Sequence, residues 1–272
     1  MSIKFIPETH SYISLKEEEQ NIKWTSVTSV ISKFKQPFDA HKIATKVSKQ
    51  KNSKWYGLSV ASIKEIWDKE AKRATDLGTW YHNQREADLC GHDTILVEDK
   101  HLPIIKPIEK NGEKYSPEQV LQEGIYPEHF VYLKSAGLCG QSDLVEVVNG
   151  KINIIDFKSN KEIKFKSFTN WDGVSQKMLS PLQHLDDCSF NHYSLQLSMY
   201  MYMMLKHNFK LEPGKMHLHH IIFEEQTQDE FGYPITKLDV DKNPIVKEVI
   251  KYEVPYLKNE VVKLLNHIKN NK

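Results

Sequence analysis

The stretch GQSDLVEVVNGKINIIDFKSNK, residues 140–161, constrains the fold more than any other part of the chain. Two runs rich in β-branched residues flank Asn149-Gly150, the dipeptide of a tight hairpin turn, so the segment reads as two paired strands. Asp143 falls near the start of the first strand, and Asp156-Phe157-Lys158 ends the second. Residues two apart on a strand point to one side, so Asp156 and Lys158 share a face while Phe157 faces the core. The hairpin thus places two carboxylates and an ammonium at one end of a sheet. Paired carboxylates repel unless a cation lies between them, and hard oxygen donors suit Mg²⁺ or Mn²⁺. The Phe157 carbonyl offers a further oxygen. A lysine beside such an ion can orient or deprotonate an attacking water, so the pattern favours metal-dependent phosphodiester hydrolysis. An acid-x-lysine triplet has little weight alone: Glu70-Ala71-Lys72, Glu98-Asp99-Lys100 and Glu162-Ile163-Lys164 are three more. Only Asp156-Phe157-Lys158 follows a largely apolar run, Ile152 to Ile155, preceded by an Asp-bearing strand.

The chain has 272 residues and a net charge of +1, which by itself marks no polyanion binder. The distribution is more telling. Between residues 33 and 54 seven lysines, including Lys42, Lys46 and Lys49, stand against one acid, Asp39, a local excess of six positive charges. Two readings stay open: a solvated helix face, or a surface that contacts phosphates. Residues 158–178 carry Lys158, Lys161, Lys164, Lys166 and Lys177, interleaved with Phe165, Phe168 and Trp171. This connection either tracks a nucleic-acid strand, with aromatics stacking on bases, or is a loop anchored by its aromatics. The start, MSIKFIPETHSY, has no apolar signal core, and no apolar run is long enough to span a bilayer, so an intracellular protein with no membrane partner is expected. Cys90, Cys139 and Cys188 read as buried free thiols and cannot supply the four thiolates of an iron–sulfur cluster. No GxxxxGK[ST] loop is present, so no nucleotide is expected and any helicase partner would be a separate chain.

The pattern of elements predicts a hairpin over residues 10–25 around KEEEQN, a short helix over 25–35, and a long helix over 60–89 in which Gly78-Thr79 marks a break or a close approach. Four prolines make 91–127 irregular. Strands follow at 128–135, 140–148 and 151–158, then a long polar connection. A helix over 189–208 capped by Ser189, a strand over 216–225, and a final amphipathic helix over 243–271, kinked or broken near Pro255, complete the chain. His217, His219 and His220 lie on the last strand, two on one face and one on the other, with no nearby residues to complete a zinc set.

In their order, Gly78-Thr79-x-x-His82, Gly140-x-x-Asp143, Asp156-Phe157-Lys158 and Gln196-Leu-Ser-Met-Tyr200 resemble the PD-(D/E)XK nuclease superfamily. Within it they are most similar to the RecB-like branch of phage exonucleases and the mitochondrial genome maintenance exonuclease. Ser142 stands where the superfamily's name has proline, which removes no ligand. The resemblance implies an α/β fold with a restriction-endonuclease-like core of order αβββαβ, a mixed central sheet flanked by helices, over residues 60–225. A hairpin and basic helical region (1–59) and a C-terminal helical extension (226–272) complete a single domain. It implies one or two Mg²⁺ or Mn²⁺ ions held by His82, Asp143, Asp156 and the Phe157 carbonyl, with Glu128 as a further ligand. Lys158 would act on the water and the scissile phosphate. Gln196 and Tyr200, four apart on one helix face, would orient the DNA backbone or support the metal site. The implied activity is a DNA exonuclease of replication, recombination or repair in a bacterial or phage-infected cytoplasm, acting on single strands or DNA ends, alone or with a recombination partner. An endonuclease of the same superfamily and a catalytically silent nucleic-acid-binding module are the alternatives.

Overall fold

The computed structural model describes residues 3–6, 11–110, 113–115, 118–170 and 172–270. Strands β1 (Ile3–Ile6) and β2 (Ser11–Ser14) form an antiparallel pair. Strand β3 (Thr25–Ser26) runs directly into helix α1 (Val27–Ser32), where the Ser26 hydroxyl accepts from the Ser29 amide. Helices α2 (Ala40–Ser48) and α3 (Val60–Cys90) begin at Asp39 and Ser59, whose side chains accept from the amides of Lys42 and Ser62. Such caps contribute about 1 kcal/mol each. The hairpin β4 (Thr94–Val97)–β5 (Lys100–Pro103) and the short strands β6 (Ile108–Lys110) and β7 (Glu113–Tyr115) occupy the proline-bearing region. The remaining elements are β8 (Gly124–Leu133), β9 (Leu138–Val148), β10 (Lys151–Lys158), α4 (Ser189–His207), β11 (Glu212–Phe223), β12 (Glu225–Gln228), β13 (Pro234–Thr236), β14 (Val246–Glu253) and α5 (Lys258–Asn270).

The central sheet runs β14-β11-β10-β9-β8. Strands β10 and β11 are parallel, the other pairs along this path are antiparallel, and β3 adds in parallel to the start of β9. Asn149 (φ 51°) and Gly150 (φ 74°) both adopt the left-handed conformation that a two-residue hairpin turn requires, which sets the register Val148–Lys151. Parallel β10 and β11 cannot be joined by a tight turn, and the crossover is supplied by the 159–187 connection and α4. Alternation then sorts the residues. Val145, Val147, Ile152 and Ile154 pack with Leu195, Leu197 and Met201 of α4, while Leu144, Val148 and Ile155 pack with Leu89 of α3 and with Leu102 and Ile104. The fold is thus mixed α/β, a mixed sheet flanked by helices.

Three expectations need correction. The N-terminal hairpin is β1–β2. The KEEEQN segment holds a single 3-10 turn at Glu17–Glu19, and β3 joins the central sheet instead. Residues 246–253 form a strand beside β11 rather than half of a helix, so the C-terminal region is only partly helical. Its apolar positions satisfy a half-buried strand, and Pro255 separates it from α5. Ser189 is the first helical residue, preceded by Cys188, and its hydroxyl accepts from the Lys164 amide at 2.7 Å instead of capping. Helix α3 passes through Gly78-Thr79 without a break.

Gly78 is a close approach. A Cβ there would lie 2.8 Å from the Ser159 Oγ. In an open helix Gly→Ala gains about 1 kcal/mol. Here Gly78→Ala is expected to destabilise the wild-type chain, yet to stabilise a Ser159→Ala chain by up to about 1 kcal/mol. Urea denaturation of the four proteins checks this; a gain from Gly78→Ala in both backgrounds would contradict it.

Candidate active site

Pairing between β9 and β10 stops at Leu144–Ile155, while β10 continues beside β11 as far as Lys158–His220. The two strands of the hairpin diverge at the end that carries the acids. The Phe157 amide donates to Asp143 Oδ2 at 2.6 Å, replacing a ladder bond. The other carboxylate oxygen, Oδ1, lies 3.6 Å from His82 Nδ1.

Glu128 completes the group through unusual backbone. It interrupts the β8–β9 ladder between Pro127–Leu144 and His129–Ser142 and has φ 47°. A non-glycine residue there stores roughly 1–3 kcal/mol, a cost concentrated at functional sites. Gln141 Nε2 donates to its carbonyl at 3.3 Å, and its Oε1 stands 3.4 Å from His82 Nδ1. His82 reaches this point from α3, and its Nε2 lies 3.3 Å from the Phe157 carbonyl. Donation there leaves Nδ1 for the two carboxylates. One ligand atom each from His82, Glu128 and Asp143 lie within 4.8 Å of one another.

Charge is closely balanced. Burial alone would lower the His82 pKa, but the bond to Glu128 and the charges of Asp143 and Glu128 raise it to about 9. Burial and the neighbouring Asp156 push the Asp143 carboxyl up. A proton on the imidazole is thus held by the carboxylates it faces. A cation at that place would do the same work. One imidazole nitrogen and two carboxylate oxygens suit Mn²⁺ or Mg²⁺, which fill their remaining positions with water.

Asp156 stands apart from the His82–Glu128–Asp143 group. It is 1% exposed, with Oδ2 2.6 Å from Lys158 Nζ and Oδ1 accepting from Gln196 Nε2 at 3.2 Å. Burial would lower the Lys158 pKa, but Asp156 and Asp143 hold it above the usual lysine range. Gln196 Nε2 also lies 3.4 Å from the Tyr200 hydroxyl. The Tyr200 ring fills the space where a Cβ on Gly140 would sit, 2.6 Å from its Cε1, which explains the glycine three residues before Asp143. The Phe157 ring packs against Tyr81, His82 and His219. Its carbonyl faces His82 Nε2. A cleft of about 570 Å³ is lined by His82, Glu128, Asp143, Lys158, Gln196 and Tyr200, among others.

Sequence reasoning missed Tyr193 and Asn160. Lys158 Nζ lies 5.0 Å from the Tyr193 ring centre, and the Tyr193 hydroxyl donates to Asn160 Oδ1 at 2.6 Å. His220 Nε2 donates to the Asn160 carbonyl at 2.6 Å, so this histidine fastens the chain that leaves β10. His217 and His219 share the other face, their ring centres 6.5 Å apart. A tyrosine one turn before Gln196 was the available signal.

Lys42, Lys46 and Lys49 are exposed along one side of α2, while Ala44 is buried against Trp55 and Ile63. Lys161, Lys164 and Lys166 are exposed too, with Lys164 paired to Glu162 at 3.2 Å. Phe165 packs on Phe190 and Tyr252, whereas Phe168 is 73% exposed. Trp171 lies outside the described residues. Cys139 and Cys188 are buried and Cys90 is partly so.

No protein-family model matches the chain, and no curated protein matches it. A solved structure described as "Crystal structure of SSO0001" aligns with a TM-score of 0.32 and 14% identity, over 92% of this chain and 77% of that one. That similarity is too slight to carry over fold or function. Among the described residues, no helix is long and apolar enough to cross a membrane.

If His82, Glu128 and Asp143 bind a cation, Mn²⁺ titrated into the protein and followed by calorimetry should bind at one site or more. Glu128→Gln and His82→Ala should each weaken binding by roughly tenfold or more. Unchanged Mn²⁺ affinity in Glu128→Gln would remove Glu128 from the ligand set.

Proposed function

We propose that this chain is a metal-dependent nuclease of the PD-(D/E)XK kind that hydrolyses phosphodiester bonds in DNA, with exonuclease action on single strands or DNA ends. The observation that supports this reading is the meeting of His82, Glu128 and Asp143 beside Lys158 at the diverging end of β9 and β10, inside one cleft. The resemblance of the four sequence motifs supports the choice of DNA and of the exonuclease branch.

His82, Glu128 and Asp143 would hold Mg²⁺ or Mn²⁺. When bound, such an ion lowers the pKa of its water and offsets charge on the phosphate. The residues of the chain do the rest. Asp143 is fixed by the Phe157 amide, so its second oxygen is already aimed at the ligand position. Lys158 keeps its ammonium charged and presents Nζ to the attacking water or to a nonbridging phosphate oxygen. Asp156, held by Gln196, sets the position of that ammonium. Water attacks directly, and the scheme uses no side-chain nucleophile and no covalent intermediate.

End-labelled single- and double-stranded DNA incubated with Mg²⁺, Mn²⁺ or EDTA tests the reading. Cleavage should require the metal and fall by roughly 10²–10³-fold or more in Lys158→Ala and Asp143→Asn. Resistance of circular DNA would mark an exonuclease, and its cleavage an endonuclease. Cleavage that survives in both variants would sink the site assignment. DNA binding without cleavage under any metal would leave a binding module. A second prediction concerns α2. Replacing Lys42, Lys46 and Lys49 by alanine should flatten the salt dependence of single-strand binding, by about 0.7 in log–log slope for each phosphate that is no longer neutralised. An unchanged slope would return that face to solvent alone.

A further inference from the structure

Helices α4 and α5 both end beside the turn that joins β8 to β9, and a groove of about 360 Å³ lies among them. Leu133, Leu138, Tyr202, Leu265 and Ile268 give it an apolar floor, and it shares no lining residue with the cleft of His82. Its rim is polar. Ser135 comes from the turn, Lys206 from α4, and Asn266 and Lys269 from α5. All four are exposed, and no aspartate or glutamate lines the groove.

The lysines of this rim are not spent on the protein itself. A lysine in the last turn of a helix commonly offsets the partial negative charge of the terminal carbonyls by bonding to them. Among the described residues, neither Lys206 nor Lys269 bonds to a carbonyl or has a carboxylate within ion-pair distance. Lys206 Nζ stands instead 5.0 Å from the ring centre of Tyr202 in the groove floor. The side chains of Ser135 and Asn266 have no hydrogen-bond partner among the described residues either. Lys134, in the same turn as Ser135, differs: its ammonium is taken up by Glu19.

An open apolar hollow is unfavourable in water, and unpaired ammonium groups at its edge attract anionic acceptors. A fitting ligand is apolar in its middle and anionic at its flanks. A polynucleotide fits badly, because two lysines neutralise too few phosphates to hold it and the floor is mostly aliphatic. An acidic protein segment fits well. One large apolar side chain fills the hollow, carboxylates on either side reach the lysines, and Ser135 and Asn266 bond to its backbone.

We infer that this groove binds an acidic segment of a partner protein, with one large apolar side chain seated on Tyr202, Leu265 and Ile268 and carboxylates paired to Lys206 and Lys269. The inference stands apart from the nuclease reading and uses none of its residues.

Methyl NMR of the full chain tests it and detects weak binding. The probes are four synthetic peptides of equal length. The first sets phenylalanine and leucine among aspartates, the second sets them among lysines, the third sets them among serines, and the fourth sets serines among aspartates. The first should shift the methyl signals of Leu265 and Ile268, and the other three should leave them near their free positions. Lys206→Glu and Lys269→Glu should each weaken binding of the first peptide by roughly tenfold and strengthen that of the second. Both positions are exposed, so the variants should keep the wild-type circular dichroism and melting temperature. Absence of any shift with the first peptide, equal shifts with the serine–aspartate peptide, or no effect of either charge reversal would overturn the inference. Larger shifts of the same methyls with oligothymidylate would overturn it too, in favour of a nucleic-acid contact. Metal-dependent DNA cleavage should be unchanged in Lys206→Glu, so the groove and the nuclease reading fail separately.

Discussion

The bond from the Phe157 amide to the Asp143 carboxylate holds open the place where β9 and β10 part. A buried amide without a partner costs about 1–3 kcal/mol, so strands that diverge must supply an acceptor from somewhere. Here the acceptor is an acid on the other strand. Its use fixes one oxygen and leaves the second facing His82. The same bond therefore ends the sheet ladder, shapes the cleft and orients a ligand atom. It also brings Asp143 close to Asp156, and burial with that charge raises the Asp143 pKa. Sheet geometry thus gathers acids at one point, and a proton on His82 offsets their charge.

The supports around this point each solve a packing problem and a charge problem together. Glu128 accepts left-handed backbone inside a strand, and the result is a carboxylate 3.4 Å from His82. Gly140 leaves room for the Tyr200 ring, which lies beside Gln196, which in turn holds Asp156. Lys158 is clasped between the Asp156 carboxylate and the Tyr193 ring. Tyr193 and His220 both bind Asn160, so the chain leaving β10 is fastened from the helix side and from the sheet side. An ammonium held in this way stays charged despite its burial, because both acids oppose the desolvation cost.

Much of this frame was legible in the sequence, for identifiable reasons. Asn149-Gly150 between β-branched runs specified the β9–β10 hairpin, and the same-face rule placed Asp156 with Lys158. The α3 helix and the 189–207 helix followed from apolar periodicity. The failures come from interactions between distant parts of the chain. Strand β14 reads as helix because its charged residues permit either period, and only β11 beside it decides. Strand β2 pairs backwards to β1, a choice local propensity does not determine. Glu128 is different: the resemblance named it as a further ligand, and only the backbone angle that turns it toward His82 is announced by no residue type. The separation of Asp156 from the ligand group depends on Gln196 and Lys158 engaging both its oxygens, which spacing along the chain does not encode.

The near-neutral charge of the whole chain is consistent with this site once the charges are placed. Glu128 and Asp143 place carboxyl groups in the inner cleft beside Lys158, and acids there oppose the entry of a phosphate. On the nuclease reading a divalent cation held by them would offset that opposition, so cation and nucleic acid would assist each other's binding, and by linkage the assistance would be mutual. Other lysines lie on α2 and along the 159–168 segment, outside the ligand group, where on the nuclease reading they would attract the phosphates of a polyanion. On the nuclease reading this separation puts acids where a cation would bind and these lysines where a strand would approach; further lysines set against Glu128 and Asp143 would instead neutralise them and weaken the pull on a cation.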